Sequence, residues 1–213
     1  EPFRHQGRIP DLINSGQPTL RTIFPLDFDQ RHRIQTNIDF RYGEGSDYNG
    51  PMIGGKPIFQ RTGLNIVGIL GSGTPYSASS KVVNEGLITG GGNYALVGSL
   101  NGSRLPWQFT TDMQLDRDIP LTFGKEEGDK AKSANLNVYL LVTNVFNTEN
   151  ITGVFRATGS PNDDGYLAAP EYTNEINGQV DPTSYSDLYA AKVNNPFNYG
   201  APRTIRLGVR FDF

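Results

Sequence analysis

Residues 202–213 read Pro-Arg-Thr-Ile-Arg-Leu-Gly-Val-Arg-Phe-Asp-Phe, and this stretch decides the fold. Every odd position in its second part is apolar: Ile205, Leu207, Val209, Phe211 and Phe213. Because side chains alternate across a strand, one face is apolar and the other carries arginine, glycine and aspartate. Two architectures accommodate this pattern. One is a strand over the core of a soluble β-sandwich, and the other is a transmembrane strand with its apolar face toward lipid.

Four earlier segments, residues 31–42, 58–76, 107–123 and 135–147, have the same character and are predicted to be strands. The longest alternation has apolar residues at Trp107, Phe109, Met113, Leu115, Ile119, Leu121 and Phe123. Arg117 interrupts this row four residues past its expected centre at Met113, and its long side chain is expected to extend to lipid head groups. Strands of this length exceed the usual five to six residues and suit a tilted membrane crossing.

The connections differ in length, which favours the transmembrane interpretation. Residues 124–134 form a short charged turn and 43–57 a moderate one, whereas 1–30, 77–105 and 148–201 are long and contain many turn-forming residues. A helical turn or two is predicted within residues 181–194, with Leu188, Tyr189 and Val193 on one face. The expected fold class is all-β, an antiparallel transmembrane β-barrel segment of about five long strands. Bacterial barrels have at least eight strands and an even number, so we expect the carboxyl-terminal part of a larger barrel.

The composition excludes several classes of function. The 213 residues include no cysteine, so there is no disulfide and no thiolate metal site, and the net charge of -3 gives no basis for binding nucleic acid. The two histidines, His5 and His32, have no nearby nucleophile, and His32 is interpreted as structural. The chain is therefore not expected to be an enzyme.

Five segments together resemble the carboxyl-terminal quarter of a TonB-dependent outer-membrane transporter of the Oar-like type found in Bacteroidota. They are Leu26-Asp27-Phe28-Asp29-Gln30-Arg31-His32, Gly71-Ser72-Gly73-Thr74-Pro75-Tyr76, Thr143-Asn144-Val145-Phe146-Asn147, Thr158-Gly159-Ser160-Pro161-Asn162-Asp163-Asp164-Gly165-Tyr166 and the closing residues 202–213. They follow the order in which such transporters carry them and cover nearly the whole chain.

The resemblance implies a 22-stranded barrel in the bacterial outer membrane, with a plug domain that is absent from this chain. Residues 1–213 would then be a carboxyl-terminal fragment of one barrel domain that takes up a nutrient actively. Its partners would be outer-membrane lipid, the upstream plug and strands, the TonB system and other members of an outer-membrane complex. The loops would be extracellular and the carboxyl terminus periplasmic, with Phe211 and Phe213 resembling the signal read by the barrel-assembly machinery.

Three aspartates, Asp112, Asp116 and Asp118, lie on the predicted polar face of the third strand. Paired carboxylates can serve acid–base catalysis. Their spacing on one face of a lumen wall is better explained by ion pairs with arginines of other strands or with the plug. The candidate arginines are Arg33, Arg41, Arg206 and Arg210.

A calcium loop is one interpretation of residues 160–171. Ser160, Asn162, Asp164, Gly165 and Glu171 fall at positions 1, 3, 5, 6 and 12 of an EF-hand-like pattern, although position 1 is normally aspartate. The alternative is a tight turn at residues 162–165 in which side chains bond the local backbone. Calcium is the one cofactor that the sequence suggests.

The long loops also carry many tyrosines among asparagines and glycines, which suits either a carbohydrate- or peptide-binding surface or simple loop packing. Two further functions stay open. One is a structural or interaction subunit of a larger outer-membrane assembly, which would lack a TonB-contacting segment. The other is a soluble, secreted β-sandwich adhesin, which would stay in the aqueous phase when partitioned with detergent.

Overall fold

A five-stranded antiparallel sheet dominates the computed structural model, which describes residues 23–84, 95–123 and 132–213. Its strands are β1 (Arg33–Arg41), β4 (Thr62–Gly71), β7 (Gln108–Phe123), β8 (Lys132–Thr143) and β9 (Thr204–Asp212), in that order across the sheet. Each strand pairs with the next long strand along the chain. The prediction of five long antiparallel strands is therefore confirmed, and the described chain is mostly β with a few short helices.

Two small two-stranded sheets accompany the large one. β2 (Met52–Ile53) pairs with β3 (Lys56–Pro57), and β5 (Pro75–Tyr76) pairs with β6 (Ser103–Arg104). The second predicted strand, 58–76, was thus too long at both ends, because residues 58–61 turn into β4 and residues 72–74 separate it from β5. The fourth strand likewise ends at Thr143, where Asn144 and Asn147 take positive φ angles of 52° and 51° and turn the chain.

The pairing register places one apolar row of every strand on the same face, whereas Val67, Ile69 and Leu141 lie on the opposite, polar face. Ile38, Ile66, Met113, Val142 and Ile205 lie directly across from one another in sequence of strands. The next apolar row is Phe40, Leu64, Leu115, Leu140 and Leu207. The alternation predicted from the sequence is therefore in register from edge to edge of the sheet.

The connections separate into two groups at opposite ends of the strands. Residues 23–32, 72–84, 95–107 and 144–203 lie at the end where β1 begins, which we call the loop end. Residues 42–61 lie at the other end, where β7 ends and β8 begins. Most of the predicted charged turn at 124–134, together with His5, falls outside the described residues.

Within the part of the chain that the structure describes, the loop end carries two α-helices, α1 (Thr173–Asn177) and α2 (Pro182–Val193). The Asp181 carboxylate caps α2 by accepting hydrogen bonds from the backbone N–H groups of Thr183 and Ser184 at 3.1 and 3.0 Å. α2 is longer than the sequence predicted. Leu188 was wrongly placed on its packed face, because Tyr189 and Val193 are buried and Leu188 is exposed. No helix of the described residues is long and apolar enough to cross a membrane.

Candidate functional site

The apolar face of the sheet is exposed on both edge strands and on much of β7, and it is half-buried or buried on β4 and β8. Leu207 is 74% exposed and Val209 is 62% exposed, and Ile34, Ile38 and Phe40 on the opposite edge strand are more than half exposed. Arg117 lies on this face, opposite Thr62 and Val138. Val138 is the middle apolar position of β8. Arg117 therefore lies beside the centre of the neighbouring strand, although it is four residues from Met113 on its own strand.

The polar face contains an ion pair that spans three strands. Arg41 of β1 reaches across β4 and donates two hydrogen bonds to the Asp116 carboxylate of β7, at 2.9 and 3.1 Å. The crossing is possible because Gly63 stands between them on β4, where an added Cβ would lie 2.5 Å from the Arg41 guanidinium. Asp116 is only 6% exposed, so the arginine compensates a largely buried carboxylate. The predicted pairing of aspartates with Arg41 is confirmed at Asp116.

The remaining groups predicted on this face find other partners. Asp118 accepts a hydrogen bond from the Asn137 amide at 2.7 Å, and Asp112 accepts one from the backbone N–H of Asn144 at 2.9 Å. Arg210 pairs with Asp212 on its own strand at 3.2 Å. No catalytic pairing of the three aspartates with one another is formed.

The pair of Arg41 and Asp116 borders an open depression of about 570 Å³. Its other lining side chains are polar or aromatic, apart from Val209: Gln114, Asp118, Asn137, Tyr139, Val209 and Arg210. The Tyr139 ring lies over Gly208, where a Cβ would be 2.3 Å from a ring carbon. Arg41 and Tyr139 therefore each lie over a glycine of the neighbouring strand, and the surface between them is polar and shallow.

Two of the segments that carry the resemblance, residues 26–32 and 71–76, meet at the loop end. Asp29 forms an ion pair with Arg104, and Arg104 also donates to the Asp29 carbonyl oxygen at 2.9 Å. Gln30 donates to the Ser72 carbonyl at 3.0 Å, and the backbones of His32 and Ser72 hydrogen-bond each other. His32 also stacks on Trp107 with ring centroids 6.0 Å apart. These contacts support the structural interpretation of His32.

Two asparagines that the sequence analysis did not single out close the top of β7 and β8. The Asn150 side chain accepts from the Phe109 N–H at 2.7 Å and donates to the Phe109 carbonyl at 2.9 Å, as a neighbouring strand would. The Asn144 amide donates to the carbonyls of Thr148 and Ala201, both at 3.0 Å. Nothing in the sequence distinguishes Asn150 from the many other asparagines of the loops.

A buried tyrosine cluster forms the core of the loop end. Tyr166 is fully buried, and its ring contacts those of Tyr172 and Tyr189 at centroid distances of 4.6 Å. Its hydroxyl hydrogen-bonds Glu175 and Tyr185 at 3.0 and 3.2 Å. Burial, with these two hydrogen bonds, raises the pKa of Tyr166 above its ordinary value. These tyrosines pack the loops, as one of the two interpretations of the tyrosine-rich loops proposed.

The tyrosine cluster also joins the two long connections. Tyr172 donates to the Val82 carbonyl at 3.0 Å, and the Val82 side chain packs on the cluster. The Ser79 N–H donates to the Arg156 carbonyl at 2.9 Å. Residues 79–82 of the first long connection therefore pack against the 144–203 connection.

The residues of the predicted calcium loop lie in a compact turn. Ser160 and Asn162 hydrogen-bond each other at 2.8 Å, while Asp164 is 2% exposed and accepts from the Tyr166 N–H and the Tyr189 hydroxyl. Glu171 is exposed in a neighbouring 3-10 turn. Among the described residues no cluster of three acidic or histidine side chains is arranged to hold a metal ion. The calcium site stays a prediction from sequence.

The residues of the predicted barrel-assembly signal, Phe211 and Phe213, lie at the end of the sheet opposite the loops. Their ring centroids are 5.9 Å apart, and both are exposed.

Comparison with known proteins identified no relative of this chain. No family model matches it, and neither the curated proteins nor the solved structures contain a match.

Proposed function

We propose that this chain forms part of the wall and the outer loops of a TonB-dependent outer-membrane transporter, and that it contributes to active nutrient uptake. Its sheet would be the carboxyl-terminal part of a transmembrane barrel, which the sequence resemblance puts at 22 strands. The loop end would face the exterior and the carboxyl terminus the periplasm.

The observation that carries the proposal is the orientation of polarity across the sheet. A water-soluble sandwich buries its apolar face and exposes its polar one. Here the apolar face is broadly exposed, whereas the polar face holds a largely buried carboxylate bonded to an arginine two strands away. Lipid outside and a polar lumen inside account for both faces at once.

The stagger of the apolar residues supports curvature into a barrel. Ile38 is the middle apolar position of β1 and lies in the row of Met113, whereas Val209, the middle position of β9, lies in the row of Arg117. The apolar band thus shifts by about four residues on crossing the sheet. Tilted, staggered strands are what closure of a barrel requires.

The loop end supports a role in contacting external ligands. Long outer loops and short inner turns are usual in outer-membrane barrels. The two long connections pack around a buried tyrosine cluster, which gives them a fixed shape over the end of the sheet. A fixed loop body above a polar lumen wall suits the capture of a bulky nutrient.

Detergent partitioning, heat-modifiable electrophoretic mobility and intact mass of the native protein test this proposal. We expect the protein in the detergent phase, with a mobility that changes on boiling and a mass several times the 23.4 kDa of this chain. Residence in the aqueous phase would indicate the soluble adhesin instead. A stable membrane species of 23.4 kDa would contradict a barrel closed by a single chain.

A second measurement separates transport from a purely structural role in the same membrane. The native protein is incubated with the purified periplasmic domain of TonB from its own organism, and complex formation is measured. Binding supports energised transport. Absence of binding, with the barrel intact, would indicate a structural subunit.

A further inference from the structure

The connection between β1 and β4, residues 42–61, packs on the apolar side of the sheet. We call it the inner connection. Tyr42 continues the apolar row of Phe40, and the two rings meet edge to face at 4.8 Å. Tyr48 and Phe59 then place their rings 5.7 and 6.3 Å from Tyr42. The inner connection therefore extends the apolar face beyond the last residue of β1.

Close packing and hydrogen bonds hold the inner connection in this position. Gly50 lies beneath two rings, and a Cβ there would be 2.7 Å from Tyr48 and 2.8 Å from Tyr42. The Tyr48 hydroxyl donates to the Pro51 carbonyl at 2.7 Å. At the base of the inner connection, Arg61 pairs with Glu44, and its carbonyl accepts from an N–H of β7 at 3.0 Å.

The tip of the inner connection is a tight hairpin with solvent-exposed apolar side chains. Gly54 and Gly55 both have positive φ, 59° and 73°, as a tight two-residue hairpin turn requires. Met52 and Ile53 beside them are 58% and 61% exposed. Lys56, directly opposite Ile53, provides a positive charge next to the apolar tip.

We propose that the inner connection lies in the head-group region of a phospholipid bilayer, with Ile53 toward the acyl chains and Lys56, on the same side of the hairpin, extending its ammonium group to phosphate. The inference rests on the proposed function, because it takes the adjoining apolar face to be lipid-facing. Two features favour lipid as the occupant: the surface is continuous with that face, and it combines aromatic rings, apolar tips and a lysine. This is the composition of segments that lie in membrane interfaces.

Site-directed spin labelling of the native protein in vesicles tests the placement. This chain has no cysteine, so Ile53→Cys, Asp47→Cys and Val209→Cys, each in a background without other reactive cysteines, report three positions. Asp47 is an exposed residue of the same connection and serves as the matched control, and Val209 reports the apolar face. The vesicles contain phosphatidylethanolamine with a minority of phosphatidylglycerol.

The measured quantity is the ratio of collisions with lipid-soluble oxygen to collisions with a water-soluble nickel complex. We expect the ratio at Ile53→Cys to exceed that at Asp47→Cys by about tenfold, since interfacial segments enter about 5–10 Å into the bilayer. Equal ratios at these two positions, with a high ratio at Val209→Cys, would overturn the inference and leave the proposed function standing. A low ratio at Val209→Cys would overturn the proposed function itself.

Discussion

Replacing Gly73 with alanine is expected to separate residues 73–76 from residues 103–106, the two paired ends of one long connection. The new Cβ would lie 1.9 Å from the Leu105 carbonyl oxygen and 2.7 Å from that of Pro106. Ordinary contact begins at 3.4 Å, and both neighbours are backbone atoms that cannot rotate away, so the chains must separate by about 1.5 Å. That displacement breaks the 3.0 Å hydrogen bond from the Leu105 N–H to the Thr74 carbonyl. Overpacking and lost hydrogen bonds together raise the free energy of the closed loop by about 2–4 kcal/mol.

Limited trypsin cleavage after Arg104 measures this loosening. Arg104 lies in β6, and its side chain is held by Asp29, so cleavage in the native protein requires local opening. Cleavage of a rapidly opening segment follows the population of the open form. A cost of 2 kcal/mol corresponds to about a 30-fold faster cleavage.

Gly68→Ala is the matched control, because nothing lies within 4 Å of the position that its Cβ would occupy. It adds the same methyl group to β4, and a slightly more stable strand is expected because glycine is unfavourable in strand interiors. Equal cleavage rates after Arg104 in Gly73→Ala and Gly68→Ala would refute the argument from close backbone approach.

Three further predictions concern the two faces and the loops. Arg41→Ala leaves the Asp116 carboxylate without its arginine. Since Arg41 is half exposed, the free energy of unfolding measured in urea is expected to fall by about 1–2 kcal/mol. A fall no larger than that caused by replacing an unpaired, exposed arginine would contradict a stabilising ion pair between Arg41 and Asp116. Trp107 emission is expected to change in His32→Ala, because the imidazole that stacks on the indole is removed; an emission spectrum equal to that of the native protein would exclude the stack. Burial favours the neutral Tyr166 hydroxyl and raises its pKa, so the hydroxyl contributes fully to the stability of the packed loops below the pKa of an unfolded tyrosine, and this contribution is lost as the pH rises through the pKa of folded Tyr166. The near-ultraviolet circular dichroism signal of the tyrosine cluster should therefore stay constant to about pH 10 and decrease above it. The signal of Tyr166→Phe, whose ring cannot ionise, should decrease less.

The sheet could be predicted from the sequence because alternation is a local signal. In each long strand apolar residues recur at every second position, and strands that are neighbours in the chain pair with each other. The order of the strands and the face on which each side chain lies therefore followed from the pattern of apolar positions. The same logic indicated that Asp116 would meet an arginine of another strand. Which arginine it meets depends on Gly63, and that became visible only with the register.

The loop end could not be predicted in the same way, because its contacts join residues far apart in the chain. Asn150 acts as a strand partner for Phe109, and Tyr172 reaches Val82, yet neither position carries a distinguishing pattern. Leu188 was misplaced for a related reason. A short helix is buried on whichever side meets the rest of the protein, and its own sequence does not fix that side.

The neck of the 144–203 connection has a consequence for how such a protein can change over time. Residues 150–153 pair with 198–200 through three backbone hydrogen bonds, which place Ile151 opposite Tyr199. The side chains of Asn144 and Asn150 connect that neck to the sheet. The chain beyond the neck is joined to the strands through this short ribbon, and its contacts with Ser79 and Val82 are made to another loop and not to the sheet. Residues between 154 and 197 can therefore be lengthened, shortened or exchanged between relatives while the strands below keep their pairing. New loop surfaces can therefore be acquired without a change in the sheet that carries them.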